Sequence, residues 1–130
     1  MRMLLVVLLV AAAFAQSGKK PPPLKPPALH VLEASAHRDS DLLNIDGRMK
    51  NTGERTAEGL VIVVDVLDSD KRIITTQKGG SDPESIEAGQ EGEFHAQMPP
   101  PPRAVYFKLS FQEKSGRDVK AIQTGPFLID

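Results

Sequence analysis

Cysteine is absent from all 130 residues, and that absence removes several chemistries at once. No disulfide can staple the chain, no thiolate can hold a metal or attack a substrate, and no lipidated cysteine can anchor it to a membrane. A surplus of one charge sign is missing as well, since 16 basic and 17 acidic side chains leave a formal net charge of −1. Neutralising nucleic-acid phosphates requires a basic surplus, so nucleic acid is not an expected partner. The apolar run over residues 3–13 falls well short of the ~20 residues that a membrane-spanning helix needs.

What that run does resemble is an export signal. Arg2 supplies a positive charge before it, and Ala13-Phe14-Ala15 closes it with a small-x-small cleavage pattern ahead of Gln16. Residues 1–15 are therefore expected to be a signal peptide cut after Ala15, placing the mature protein in the periplasm of a bacterial-type cell or outside it. Residues 16–28 carry Pro21, Pro22, Pro23, Pro26 and Pro27, which cannot donate backbone hydrogen bonds, and are expected to form a disordered polyproline-like linker. Residues 29–130 remain as one domain, large enough to bury a core without metals or disulfides.

Helical periodicity is lacking across that domain, where apolar residues recur mostly at every second position, the strand period. Residues 30–36 read as a first strand. Leu43, Ile45, Gly47 and Met49 alternate with Asn44, Asp46, Arg48 and Lys50 as a second, and residues 60–67 form a β-branched central run. Asp68-Ser69-Asp70-Lys71 predicts a tight reversal into residues 72–77, with Asp68 capping its own turn through an Asx hydrogen bond. Phe94, Ala96 and Met98 mark another half-buried strand, and the proline run 99–102 must be a loop. Val105, Phe107, Leu109 and Phe111 face one way, Tyr106, Lys108, Ser110 and Gln112 the other, and residues 118–122 read as the last strand.

Seven short strands bounded by turns predict an all-β fold, an antiparallel sandwich of two sheets packed face to face, with an eight-stranded closed barrel as the structural competitor. Its expected core is Leu43, Ile45, Met49, Leu60, Ile62, Val64, Val66, Phe94, Val105, Phe107, Leu109 and Phe111. Asn51, Gly53 and Gly89 are expected in turns, where a left-handed backbone costs Asn or Gly little.

Catalytic and metal motifs are lacking too. His30, His37 and His95 have no second ligand at a His-x-x-x-His spacing. Asp39, Asp41, Asp65, Asp68 and Asp70 lie outside any EF-hand pattern, and no Gly-x-Ser-x-Gly elbow exists. These side chains are read as solvated surface groups, with no catalytic residue, no metal site and no cofactor.

Gly47-Arg48-Met49-Lys50-Asn51-Thr52-Gly53, the apolar strand 60–66 and the following Leu67-Asp68-Ser69-Asp70-Lys71 together resemble the FxLYD family, immunoglobulin-like domains of exported prokaryotic proteins. The naming motif falls on Val64-Asp65-Val66-Leu67-Asp68, where only the final Asp matches outright, while Ala88-Gly89-Gln90 and Phe94 fit the family's later turn and strand. The resemblance covers residues 29–122. It implies an immunoglobulin-like sandwich and an extracytoplasmic accessory or binding module without a defined catalytic site.

The expected function is accordingly a noncatalytic interaction module that binds a protein or envelope component through a sheet face or edge. A structural envelope protein without a discrete ligand is the second reading, and an enzyme or metal carrier the third. Tyr106, Lys108 and Gln112 form the expected contact face, because aromatic and polar side chains on a flat sheet suit recognition. Intact mass measurement of the exported product should give a chain that begins at Gln16; retention of residues 1–15 in the mature protein would refute the signal reading.

Overall fold

The computed structural model describes residues 22–130. The expected signal peptide and the first part of the linker lie outside these residues. Eight strands follow one another: β1 (Ala28–Asp39), β2 (Leu42–Asn51), β3 (Leu60–Leu67), β4 (Ile73–Asp82), β5 (Glu91–Met98), β6 (Tyr106–Glu113), β7 (Asp118–Ile122) and β8 (Phe127–Leu128). No helix occurs among the described residues.

The strands pair in the order β3-β4-β5-β2-β1-β7-β6, and β6 pairs back onto β3, so seven strands close into a barrel with β8 as an extra strand on β6. This corrects the immunoglobulin-like sandwich expected from the strand count and implied by the FxLYD resemblance, and the closed form differs from an eight-stranded barrel in number. Strand period reveals which side chains turn inward, but it is blind to whether the outer strands of two layers meet. Here they meet at two seams. At the first, β4 runs on to Asp82, past the Gln77 where the hairpin strand was expected to end, and pairs β5 through Gly80↔His95, Ser81↔Phe94 and Asp82↔Glu93. At the second, β7 pairs β1 in parallel through Ala28↔Lys120, Leu29↔Ala121 and His30↔Ile122.

Gly79 makes the first seam possible. A Cβ at this position would lie 2.3 Å from the carbonyl oxygen of His95 and 2.7 Å from the Ala96 side chain, so only glycine lets the β4 backbone come this close to β5. β3 and β4 form the expected hairpin, pairing from Val61↔Gly80 to Leu67↔Ile73 with a bulge between Thr75 and Ile73. Asp68 caps the turn as expected, its Oδ1 accepting from the backbone N–H groups of Asp70 at 2.9 Å and Arg72 at 3.0 Å.

The barrel interior is packed with side chains. β3 shows the alternation cleanly: Leu60, Ile62, Val64 and Val66 are buried, while Val61, Val63 and Asp65 are half-buried outside. Phe107 and Phe111 are among the largest fully buried side chains, and Phe111 meets Phe94 edge to face with centroids 6.0 Å apart. The expected core residues are buried with one exception. Val105 is half-buried, because β6 starts at Tyr106 and the preceding Ala104 turns inward instead. Sequence period also missed Leu29, Val31, Ala57, Ile86 and Val119, which are buried at strand ends and in loops.

One end of the barrel is closed by Ile86, which lies in the loop between β4 and β5 and is fully buried. Its backbone exchanges a pair of 2.9 Å hydrogen bonds with Ala57. Asn51, the one buried polar residue among the described residues, ties this plug down. Its Nδ2 donates to the carbonyls of Arg55 at 2.8 Å and Ile86 at 2.9 Å, and its Oδ1 accepts from the N–H of Gly53 at 3.0 Å. The turn role expected for Asn51 is thus corrected: it ends β2 with its amide fully satisfied inside. Gly53 is corrected too, since it has no left-handed backbone and instead admits Pro26, whose carbonyl oxygen would lie 2.2 Å from an added Cβ. Gly89 does take the left-handed conformation, with φ of 82°.

The last residues of the proline arm follow from that contact. Lys25 donates its backbone N–H to Glu54 Oε1 at 2.8 Å, and the Glu54 N–H donates to the Lys25 carbonyl at 3.2 Å. Residues 25–27 therefore lead directly into β1 along the turn after β2. Replacing Asn51 with Ala removes its bonds to the buried Ile86 carbonyl, the part-buried Arg55 carbonyl and the Gly53 N–H, and is expected to destabilise the fold by roughly 1–3 kcal/mol in urea unfolding. A loss below about 0.5 kcal/mol would show that the plug does not depend on this amide.

Candidate interaction surfaces

The two barrel seams are short, and what happens beyond each of them differs. At the β1–β7 seam the ladder stops at His30, and residues 127–130 meet β1 again further along, at Ala36 and Arg38. β8 pairs β6 through Tyr106↔Leu128 and Phe107↔Phe127, and the Phe127 ring lies against Phe107 with centroids 5.1 Å apart. Asp130 then donates its N–H to the Ala36 carbonyl at 3.2 Å. Arg38 on β1 adds two side-chain bonds there, with Nη1 donating to the Asp130 carbonyl at 3.0 Å and Nη2 to the Ala104 carbonyl at 3.2 Å.

At the β4–β5 seam no backbone bond from another segment reaches residues 73–78 among the described residues. β5 pairs β4 only through Glu93, Phe94 and His95, so residues 73–78 of β4 pair β3 on one side and have no ladder on the other. An antiparallel strand turns alternate N–H and C=O groups to each side. β4 therefore presents a row of unpaired backbone donors and acceptors, the feature that templates strand addition. It contributes no buried side chain to the core. Ile73 stands 58% exposed at its start.

A second surface lies on the outside of β1, β2 and β5. The register places Asn44 opposite Gln97, Asp46 opposite His95, Arg48 opposite Glu93 and Lys50 opposite Glu91, so each outward pair is polar and complementary. Gln97 donates to Asn44 at 2.9 Å, and His95 Nδ1 lies 2.6 Å from Asp46 Oδ1. Arg48 bridges three strands, reaching Glu33 on β1 and Glu91 on β5 at 3.0 Å each. The hydrogen bond to Glu33, followed by its charge, raises the Arg48 pKa above the ordinary guanidinium value. An open hollow of about 790 Å³ sits over this network, its rim including Ser35, Ser81 and Glu93. Arg48 and His95 pair with Glu33 and Asp46 on its walls, while Asp82 and Glu93 have no ion pair among the described residues.

The expected contact face on β6 is a third surface. Lys108 is exposed, and Tyr106 and Gln112 are half-buried on the outside of the barrel. Each already has a neighbour on its own sheet. Tyr106 lies under the Lys71 ammonium, 5.7 Å from the ring centroid. Lys108 stands opposite Asp65, and Gln112 reaches Asp118 at 3.4 Å. β6 lies between β3 on one side and β7 and β8 on the other, so this face offers side chains but no free backbone.

The histidines do not gather: His30 is half-buried on β1, and His37 and His95 are exposed on β1 and β5. Among the described residues no group of three His, Asp or Glu side chains could hold a metal ion. No helix among them is long and apolar enough to cross a membrane. The free edge of β4 was not legible beforehand, because Ile73-Ile74-Thr75-Thr76-Gln77 reads as an ordinary hairpin strand. The one available signal was its lack of strict apolar alternation.

No protein-family model matches the chain, and no curated protein is significantly similar to it. Among solved structures, IrmA from Escherichia coli is similar, with a TM-score of 0.47 and 12% sequence identity, covering 82% of this chain and 98% of that one.

Hydrogen exchange tests the open seam directly. Within residues 73–78, alternate amides should exchange at loop-like rates while those facing β3, and the amides of β3 itself, stay protected. Uniform protection across the stretch would mean that the seam is closed in solution.

Proposed function

We propose that this chain is a noncatalytic extracytoplasmic interaction module that takes an extended segment of a partner protein as an added strand on β4. The observation that carries this reading is the β4 edge itself: residues 73–78 pair β3 on one side and have no ladder on the other. Strand addition draws its affinity from main-chain hydrogen bonds and its specificity from alternate side chains. The exported location is supported by the charged, apolar and small-residue pattern of residues 1–15.

A photo-crosslinking side chain placed at Gln77, with Arg117 as a control position on the far turn, tests this in cells that make the protein. A discrete covalent adduct from position 77 and none from position 117 is the expected outcome. Adducts at both positions, or at neither, would overturn the proposal.

A further inference from the structure

β4 carries a charge pattern that bears on what can sit beside it. Lys71 and Arg72 precede the free stretch and Lys78 ends it, while Ile73, Ile74, Thr75, Thr76 and Gln77 between them are uncharged. The ion pairs among the described residues involve Arg48, His95 and Lys114, and none uses Lys71, Arg72 or Lys78; the Lys71 ammonium lies over the Tyr106 ring but keeps its charge unpaired by an acid. Nearby acids are committed elsewhere. Asp68 Oδ1 caps its turn, and Asp65 accepts the Thr76 hydroxyl at 2.7 Å while standing opposite Lys108. Asp70 in the turn offsets part of the charge at the leading end, which stays basic overall.

Two occupants could in principle extend this edge: a second copy of the chain or a segment of another protein. An antiparallel pairing of β4 with its own copy centred on Thr75 places Arg72 directly opposite Lys78 of the other copy, and one centred on Thr76 places them on the diagonal. Like charges at such positions oppose pairing, and lysine on an edge strand is a usual guard against self-association. The same three cations favour a strand whose ends are acidic. An uncharged centre rich in β-branched residues would match the Ile and Thr positions across the ladder, and the exposed Ile73 offers an apolar contact at one end.

From this pattern we infer that the β4 edge is built for an extended segment of another protein with an uncharged, β-branched centre and acidic residues at both ends. The inference rests on the strand-addition reading above and names its partner's chemistry. Three exposed charge pairs together are expected to contribute about a tenfold difference in affinity at low salt.

The probes are synthetic peptides of the form acetyl-Asp-Glu-Val-Thr-Ile-Thr-Val-Glu-Asp-amide, the same peptide with Gln and Asn for the acids, and the same peptide with Lys for the acids. Binding to the mature chain is followed by fluorescence anisotropy, with hydrogen exchange to locate the site. The acidic peptide should bind about tenfold more tightly than the neutral one, lose that advantage as salt rises, and protect the outward amides of residues 73–78. The double variant R72E/K78E, altered only at surface positions, should reverse the order in favour of the Lys peptide. Equal binding of all three peptides, or binding without protection of β4, would overturn the inference, as would concentration-dependent dimerisation that protects the same amides. Absence of binding by every peptide also counts against it. If position 77 nevertheless crosslinks a partner through a non-acidic segment, strand addition stands and only the charge assignment fails.

Discussion

Backbone donors and acceptors at the edge of a sheet must find partners or face water, and β4 meets that demand for two neighbours in turn. Its pairing with β3 and, over its last three residues, with β5 converts two layers into one closed barrel. That second pairing depends on the close approach at Gly79, where a side chain would collide with the His95 carbonyl. Everything outside the seam follows from that geometry, including the half of β4 that is left with one partner only. Only Gly80 is paired on both sides, with Val61 on β3 and His95 on β5.

The end of the barrel shows how a polar group can organise an apolar interior. Asn51 is fully buried, a placement that is costly unless its donors and acceptor are all matched. They are matched by three segments distant from one another in sequence, so the amide fixes the turn after β2, the plug at Ile86 and the entry of the proline arm relative to each other. Isolated apolar contacts would fill the same space without setting these positions, because they are not directional.

Electrostatics divides the outer surface by role. On β1, β2 and β5 the charges answer one another across the ladders, with Arg48 held between Glu33 and Glu91. Exposed pairs of this kind contribute little to stability, but they leave few groups uncommitted. The β3–β4 hairpin differs, since its basic residues stand beside acids that are engaged in turn capping or in a hydroxyl contact. Free backbone on β4 and unpaired basic side chains at its two ends thus lie together, which is why the interaction reading centres there and not on Tyr106, Lys108 and Gln112.

The amino-acid sequence by itself determined the all-β class, the β3 boundaries, the hairpin at Asp68 and most of the core. Each is set by local chemistry: β-branched residues at alternate positions, an Asx turn, prolines that cannot enter a ladder. The barrel closure, the inward turn of Ala104 in place of Val105, the burial of Asn51 and the open edge were decided by tertiary structure alone. Alternation tells which face of a strand is apolar, but pairing partners depend on where the backbone can bend and what meets it there. Gly79 and Asn51 carry no pattern in the sequence that distinguishes them from residues of an ordinary loop or turn. Their roles come from the groups that distant segments bring within hydrogen-bonding or contact distance.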